Sequence, residues 1–230
     1  MDSFWRGKKV LLTGGAGFIG SNLAVRLLNL GSQVRVVDNL ERGNLKYLRP
    51  IRDDLEFKQL DLTGQEACRL ACQEMEIIFH LASKVGGIGY YLQKPGDVIL
   101  NNVLMDTLML QAALEVGVER YFYASSAHVY PLELQFSPES PPIKEEQAYP
   151  AHPGLSYGWA KLLAEKQIEY HVEEGMPLRA AIIRLIGAFG PNQDLDLETG
   201  SAIPVFCRRA VEYPERQPFI IWGSGIETRS

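Results

Sequence analysis

The chain has 230 residues, of which 46% are hydrophobic and 22% charged, and its formal net charge is −5. This length and composition are typical of one well-packed domain with a small appended lobe, and the negative charge argues against nucleic acid or an anionic membrane as a partner. No apolar run is long enough to span a membrane and the N-terminus lacks a signal-peptide pattern, so we expect a cytoplasmic protein.

The first predicted element is a buried strand over residues 10–13 that runs into a glycine-rich turn. Gly14 lets the chain turn sharply, Gly17 leaves room for a diphosphate, and Gly20 allows a helix to pack closely on the strand. The helix that begins near Phe18 directs its free N–H groups at the anion. This pattern predicts a dinucleotide site, and a βαβ turn without a ligand is the alternative. The residues expected at the diphosphate are Gly14, Gly17, Phe18 and Ile19.

The next predicted strands each end in a residue suited to the same cofactor. Residues 34–37 lead to Asp38, whose carboxylate can accept hydrogen bonds from ribose hydroxyls and would repel the 2′-phosphate of NADP. Residues 57–60 lead to Asp61, and residues 77–82 end in Ala82. Since the carboxyl ends of parallel strands share one edge, we expect Asp61 near the adenine and Ala82 near the nicotinamide ribose. An N-cap role for Asp61 is compatible with this.

The three cysteines, Cys68, Cys72 and Cys207, do not have the paired spacing of a zinc site. Cys68 and Cys72 are predicted to be ordinary helix residues. We therefore expect no metal.

The remaining pattern alternates strands and helices as far as Gly190. A flexible loop at 86–89 precedes a helix from Pro95 to about Glu115, and a strand at 120–124, a helix at 156–174 and a buried strand at 180–185 follow. This order predicts an α/β fold with a doubly wound parallel sheet, as in a Rossmann domain. We assign residues 1–190 to this domain.

Two segments depart from the alternation. Residues 131–153 contain six prolines and are interpreted either as an ordered flap over the site or as a flexible surface loop. After Gly190 the sequence predicts a helix at 202–211 and a short strand at 219–222. We expect residues 191–230 to begin a substrate lobe that is incomplete.

Tyr157 and Lys161 are spaced to lie one turn apart on the same face of a helix. The ammonium is expected to favour the phenolate and lower the pKa of Tyr157, which would make the tyrosine a general base for a hydroxyl proton. Ser126, at the end of the preceding strand, can hydrogen-bond the same substrate oxygen. A surface pair without function is the alternative.

The motifs together resemble one family. They are residues 13–20, Asp38-Asn39, Asp61-Leu62, residues 80–82, residues 101–103, residues 125–127, and Tyr157 with Lys161. As a set they are similar to the extended short-chain dehydrogenase/reductase family, the nucleotide-sugar epimerases and dehydratases. Residues 84–88, 125–131, 144–153 and 206–210 are most similar to its GDP-mannose 3,5-epimerase and GDP-fucose synthase branches.

The resemblance implies bound NAD, a nucleoside-diphosphate sugar as substrate, a transient 4-keto sugar, and a homodimer formed by helices over 102–113 and 156–170. It implies further cofactor contacts from Asn39, Leu62, Leu81, Lys84, Asn102, Tyr157 and Lys161. It also implies substrate contacts from Gly86, Gly87, Ser126, His128, Gly187 and Arg229, with Arg208 and Arg209 as weaker candidates for the diphosphate.

Three segments depart from the family pattern. His128 stands where the two similar enzymes carry a catalytic cysteine, and Ala127-His128 replaces the acid pair of dehydratases. Ser201 falls where a second acid/base is usual, and Gly187 replaces an asparagine. His128 titrates near neutrality, so it is either an acid/base for a carbon beside the 4-keto group or a pocket-lining residue.

We therefore expect an NAD-dependent nucleotide-sugar epimerase acting on a GDP- or UDP-hexose, by 4-epimerisation or by proton exchange at C3 or C5. An NADPH-dependent keto-sugar reductase and a non-catalytic NAD-binding scaffold are the alternatives.

Overall fold

The computed structural model describes residues 2–86, 88–135, 141–197, 200–215 and 219. Six strands form one sheet, and every pairing in it is parallel. The strands are β1 (Lys9–Thr13), β2 (Gln33–Asp38), β3 (Glu56–Gln59), β4 (Ile77–His80), β5 (Arg120–Ser126) and β6 (Arg179–Leu185). They lie in the order β3-β2-β1-β4-β5-β6. The chain thus adds β2 and β3 on one side of β1, and then β4, β5 and β6 on the other side. The predicted doubly wound sheet is confirmed.

Helices cover both faces of this sheet. They are α1 (Asp2–Trp5), α2 (Phe18–Asn29), α3 (Gln65–Cys72), α4 (Ile88–Gln93), α5 (Pro95–Val116), α6 (Ser156–Glu173) and α7 (Ala202–Glu212). Successive residues of β1 face opposite sides, because side chains alternate along a strand. Leu11 packs in the core with α3, α5 and α6, whereas Val10 and Leu12 pack with α2. β1 is thus buried on both faces.

Helix α4 corrects the prediction of a flexible loop before Pro95. The glycines at 86 and 89 favour a loop, but the segment also carries Tyr90 and Tyr91. Tyr91 is buried against Val98 and Tyr157, with Tyr90 packed beside it. Burial of these rings stabilises a helix that the local glycine content alone does not predict.

The burial of strand β6 also differs from the prediction, which was of a buried strand. It lies at the edge of the sheet, and its residues are exposed or half-buried, with Ile183 46% exposed. Its apolar sequence is that of a buried strand, yet burial depends on what packs on the strand. Within the described part of the chain, β6 has a strand partner on one side only.

The proline-rich segment is ordered where the structure describes it. A short helical turn at Glu145–Ala148 places Ala148 in a small core with Val129, Tyr130 and Leu162 of α6. A bridge between Pro131 and Pro153 closes the base of the segment. Residues 131–135 and 141–153 therefore form a flap held against α6.

The predicted helix in the tail is confirmed as α7, and the strand predicted at 219–222 lies outside the described residues except for Phe219. No helix in the described ranges is both long enough and apolar enough to cross a membrane.

Candidate active site

The glycine-rich turn joins β1 to α2 with very little room. Gly14 has φ +63°, and a Cβ there would lie 2.9 Å from the backbone of Ala82. A Cβ at Gly20 would lie 2.5 Å from the Cα of Gly15. By contrast, a Cβ at Gly17 would meet only the Gly14 carbonyl oxygen, at 3.2 Å. Packing within the protein therefore requires glycine at 14 and 20, whereas Gly17 leaves a cradle open beside the turn.

The start of α2 fits the diphosphate of a dinucleotide. Its N-cap residue is Gly17, and no side chain caps the first turn. The first N–H groups of a helix without a side-chain cap can bind an anion, with the helix dipole in the favourable sense. The open cradle at Gly17, with Phe18 and Ile19 opening the helix, thus fits the predicted cofactor.

Asp38 ties the end of β2 to the glycine-rich turn. Its carboxylate accepts hydrogen bonds from the backbone N–H groups of Ala16, at 3.0 Å, and Leu40, at 2.8 Å. Burial raises the pKa of Asp38, and the two backbone hydrogen bonds oppose that rise. Because a carboxylate oxygen has more than one lone pair, the group can still accept a ribose hydroxyl beside the turn.

Asp61 and Leu62 follow β3. Asp61 accepts hydrogen bonds from the N–H and the hydroxyl of Thr63, at 3.0 and 2.7 Å, and these lower its pKa. The N-cap of α3 is Gly64, so the N-cap role considered for Asp61 is wrong. The Leu62 side chain belongs to the core, and therefore only its backbone can face a ligand. After β2, Asn39 accepts a hydrogen bond from the backbone of Glu41.

The loop after β4 is held by Asn102 of α5, which is fully buried. Its amide oxygen accepts hydrogen bonds from Ser83 Oγ and Lys84 N, at 2.7 and 2.8 Å. Its amide nitrogen donates to the carbonyls of Lys84 and Val98. All four hydrogen-bonding positions of this side chain are therefore used within the protein, so we place Asn102 as the residue that shapes the loop.

Leu81, Ala82 and Lys84 belong to the same loop. Lys84 forms an ion pair with Glu41 of the loop after β2, and this pairing raises the pKa of Lys84. The backbone N–H groups of Leu81 and Ala82 both donate to Thr13 Oγ1, at 3.1 Å. The ends of β1, β2 and β4 are thus connected around the glycine-rich turn.

Ser126, His128, Tyr157 and Lys161 lie together at the carboxyl end of β5. Ser126 Oγ is 3.0 Å from Nδ1 of His128, and the His128 ring meets the Tyr157 ring edge-on at 5.7 Å. The ammonium of Lys161 lies 5.8 Å from the centroid of the Tyr157 ring. The sequence-predicted catalytic residues therefore share one site.

Close packing of α6 on the turn after β5 brings these groups together. A Cβ at Gly158 would lie 2.0 Å from the backbone oxygen of His128. No side chain can occupy that space without moving the helix or the turn. Gly158 thus sets the distance between Tyr157 and the segment that carries Ser126 and His128.

The pKa of Tyr157 differs from the prediction. Burial raises it to about 12, a hydrogen bond with Ser83 opposes the rise, and the negative charge of Asp106 adds to it. Burial also lowers the pKa of Lys161, although Asp106 and Glu165 oppose that change. The expectation of a lowered pKa for Tyr157 is wrong for this state of the protein, because desolvation of the phenolate is the largest effect on it.

Tyr91 is a site residue that the sequence did not indicate. Its ring stacks on that of Tyr157, with centroids 5.2 Å apart and planes 25° apart, and lies 6.1 Å from the His128 ring. Helix α4 carries it there, and it is only 7% exposed. An aromatic residue in a glycine-flanked segment gives no sign of this contact until the helix is known.

A buried polar network runs beneath the site. Thr13 Oγ1 is 2.8 Å from Nδ1 of His80, and Nε2 of His80 is 3.0 Å from Asp106. Asp106 also accepts a 2.6 Å hydrogen bond from Tyr123 and lies 3.8 Å from the ammonium of Lys161. His80 is fully buried. Asp106 was missed, although a lone acid four residues after Asn102 in an apolar helix signals a buried partner.

A second network fixes the strand that carries Ser126. Ser125 donates a short hydrogen bond to Glu165, and Arg184 of β6 forms an ion pair with the same carboxylate at 2.7 Å. Arg184 also donates to Tyr130 and to the backbone of Glu145 in the flap. The pKa of Arg184 is raised, chiefly by Glu165. This network joins β5, α6, β6 and the flap.

The predicted substrate contacts are only partly within the described residues. Gly86 packs against Tyr90, where a Cβ would lie 2.7 Å from the side chain, and Gly187 follows β6 with φ +56°. Arg208 donates to Glu212 at 3.0 Å and to the carbonyl of Leu195 at 3.1 Å, and Ser201 accepts a hydrogen bond from the side-chain amide of Gln193. Gly87 and Arg229 lie outside the described residues.

Metal-binding and redox groups are not gathered here. In the described ranges no three His, Cys, Asp or Glu residues cluster as a metal site. Cys68 and Cys72 are buried free thiols, and burial raises the pKa of each to about 12. Thiols that stay protonated are poor nucleophiles.

Comparison with known proteins places this site in a family. The family model for the NAD-dependent epimerase/dehydratase family matches residues 10–230. A GDP-mannose 3,5-epimerase from Arabidopsis thaliana is 31% identical over 234 residues, which cover 100% of this chain and 60% of the plant enzyme. The chain therefore spans about 60% of the length of that relative.

Solved structures agree with the sequence comparison. A UDP-glucose 4-epimerase from Thermotoga maritima, solved with UDP-glucose, has a TM-score of 0.76 at 26% identity, covering 87% of this chain and 62% of that one. A dTDP-glucose 4,6-dehydratase from Streptomyces venezuelae, solved with NAD bound, has a TM-score of 0.75 at 26% identity, with coverage of 89% and 62%. The chain belongs to the NAD-dependent epimerase/dehydratase family.

Proposed function

We propose that this protein is an NAD-dependent nucleotide-sugar epimerase that works through a transient 4-keto sugar, on a GDP- or UDP-hexose. The observation that carries the proposal is the meeting of Ser126, His128, Tyr157 and Lys161 at one sheet edge. That edge also holds the glycine-rich turn and the open cradle at Gly17. The similarity to a GDP-mannose 3,5-epimerase makes GDP-mannose the first substrate to test.

The residues divide the work as follows. When bound, NAD supplies a hydride acceptor for the carbon at position 4 of the sugar. Tyr157 takes the proton of the 4-hydroxyl, Lys161 places its ammonium beside the Tyr157 ring, and Ser126 hydrogen-bonds the sugar oxygen. The same groups return the proton at the end of the cycle, and the hydride taken from the carbon at position 4 would also be returned to the sugar, so no net oxidant is consumed.

His128 would decide which epimerisation occurs. Ser126 orients the imidazole through Nδ1, and the Tyr157 ring packs beside it. An imidazole held there can remove or return a proton at C3 or C5, next to the keto group. Without that step, rotation of the keto sugar before reduction gives a 4-epimer.

Turnover in deuterated water tests the proposal. We would incubate the full chain with NAD and GDP-mannose, then with UDP-glucose, and analyse the products by NMR. Deuterium at C3 or C5 supports proton exchange, and an inverted C4 without label supports 4-epimerisation. His128→Asn should remove the label but spare 4-keto formation. Tyr157→Phe should abolish turnover in either case, and an unchanged rate would contradict the assignment.

The other outcomes distinguish the alternative functions. Oxidation of NADPH by a keto-sugar substrate would identify a reductase. NAD binding without turnover of any sugar nucleotide would leave a non-catalytic scaffold. Tighter binding of NADP than NAD would contradict the role given to Asp38.

The partner and domain assignments belong to the same proposal. Exposed apolar side chains follow one another at helical spacing on the adjacent helices α5 and α6, and they are Leu100, Leu104, Trp159 and Leu163. Such a patch supports a homodimer through these helices. Residues 191–230, with Arg229 on the sugar diphosphate, are proposed to begin the substrate lobe.

A further inference from the structure

Asp106 is a carboxylate in the interior of the domain, with its side chain only 1% exposed. It lies in the middle of α5, between the sheet and α6. A charge in such a position is costly unless it is paired and hydrogen-bonded. The partners of Asp106 therefore indicate why an acid is present in this helix.

Two of these partners donate hydrogen bonds. Tyr123 donates its hydroxyl to one carboxylate oxygen of Asp106, at 2.6 Å. Thr13 Oγ1 accepts from two backbone N–H groups, so its own proton points to Nδ1 of His80. Nε2 of His80 then carries the hydrogen and donates to the other oxygen of Asp106. Both oxygens are thereby oriented, and the carboxylate cannot turn away.

The third partner is the ammonium of Lys161, which is itself 1% exposed. It lies 3.8 Å from Asp106 and 4.5 Å from the centroid of the Tyr123 ring. Asp106 is the acid that forms an ion pair with Lys161 in the described residues. The strands β1, β4 and β5 thus fix a negative charge beneath a lysine of α6.

We propose that Asp106 is a positioning residue for the active site, which holds Lys161 in place and sets the pH range over which Tyr157 and Lys161 work. The inference rests on the proposed roles of these two residues. It deepens them by adding a third group, from α5, that touches neither the sugar nor the cofactor.

The sign of the effect follows from the charges around Lys161. The titratable groups that face it or Asp106 are His80 from β4, Tyr121 and Tyr123 from β5, and Tyr157 and Glu165 from α6. Arg184 pairs with Glu165. Asp106 raises the pKa of both Lys161 and Tyr157. Removing its charge should therefore lower both pKa values and move the whole pH profile of turnover to lower pH.

The test compares variants that separate charge from packing. Asp106→Asn removes the charge, but its amide nitrogen would face a donor, either His80 or Tyr123. The double variant Asp106→Asn with Tyr123→Phe removes one of those donors, and Tyr123→Phe alone keeps the carboxylate. Glu115→Gln, at an exposed acid near the end of α5, is the matched control. Thermal unfolding checks that each variant is folded.

Two measurements are made on these proteins. NMR of protein labelled with ¹³C at lysine Cε follows the titration of Lys161, whose signal is assigned by its loss in Lys161→Met. The pH dependence of kcat is measured with whichever sugar nucleotide is turned over. In both proteins that carry Asp106→Asn, Lys161 should titrate at lower pH than in the wild type. On the alkaline limb of the pH profile, their kcat should be at least about tenfold below that of the wild type. Tyr123→Phe and Glu115→Gln should leave the Lys161 midpoint near that of the wild type.

The outcomes keep the two proposals apart. A Lys161 midpoint that does not move in the folded double variant overturns the role of Asp106, whether or not sugars are turned over. A midpoint that moves in a protein that turns over no sugar supports the ion pair and contradicts the proposed function. A loss of kcat equal at every pH would show a structural role only, and would also overturn the inference.

Discussion

Thr13 shows how much one hydroxyl can organise at the end of a central strand. It accepts hydrogen bonds from the backbone of Leu81 and Ala82 and fixes which nitrogen of His80 carries the hydrogen. A valine of the same shape would remove the partner of the buried His80 nitrogen, which costs about 1–3 kcal/mol, and of two half-buried backbone N–H groups. The hydroxyl therefore matters here more than the size of the side chain.

The buried His80 should make the protein sensitive to mild acid. Burial lowers the pKa of His80 below its ordinary value of 6.5, so below that pH the unfolded chain binds a proton that the folded chain does not. The free energy of unfolding should therefore decrease as the pH is lowered below 6.5, by at most about 1.4 kcal/mol per pH unit from this group. The lowered pKa of Asp106 acts in the same sense, but only below its ordinary value of 3.8.

Urea unfolding between pH 7.5 and pH 5 measures this slope. His80→Asn cannot be protonated, so we expect its slope to be shallower than that of the wild type. His171→Asn, at a half-exposed histidine of α6, is the control and should keep the wild-type slope. Equal slopes in wild type and His80→Asn would contradict the prediction.

At the scale of elements, the contact between α6 and the turn after β5 determines the geometry of the site. Gly158→Ala would place a methyl group 2.0 Å from the backbone oxygen of His128, so the helix or the turn must move. We expect a loss of about 1–3 kcal/mol of stability and a larger fall in kcat than in NAD affinity. The measurements are thermal unfolding, turnover and cofactor titration.

Gly96→Ala is the matched control for that substitution. Gly96 lies in the first turn of α5, and a Cβ there would meet nothing within 4 Å. It should leave turnover unchanged and stabilise the protein slightly, since alanine is favoured over glycine in a helix by about 0.5–1 kcal/mol. If both variants behaved alike, close packing at Gly158 would not be the cause.

The sequence predicted the elements whose signals are local. The glycine-rich turn, the alternation of strands and helices, and the spacing of Tyr157 and Lys161 all follow from short-range patterns. Helix α4, the exposure of β6 and the partners of Asp106 depend on contacts between distant parts of the chain. The prediction of a lowered pKa for Tyr157 was wrong for the same reason, because the spacing of residues reveals a neighbouring charge but not the depth of burial.

At the scale of the whole molecule, the surface of α5 and α6 is the place where a second copy would bind. Leu104 and Leu163 are 41% and 45% exposed. Replacing both with glutamate should convert a dimer into a monomer, since four buried carboxylates would face each other across a two-fold interface. Light scattering after size-exclusion chromatography measures the mass.

Val211→Glu controls for the loss of an exposed apolar residue, because Val211 is 85% exposed and belongs to α7, not to α5 or α6. It should leave the mass unchanged. A wild-type protein that is monomeric at tens of micromolar would contradict the proposed homodimer. The cytoplasmic location also stays a prediction.

The pairing of β1 with β4 has a consequence for the order of folding. Thr13 and His80 are 67 residues apart in the chain, yet they join in the centre of the sheet. Closing so long a loop is entropically costly and comes late relative to local contacts. A nascent chain can therefore form the glycine-rich turn early, but the polar network beneath Lys161 is completed only when the two halves of the sheet meet. In this protein the part of the site expected to bind the diphosphate should therefore form before the part expected to carry out the chemistry.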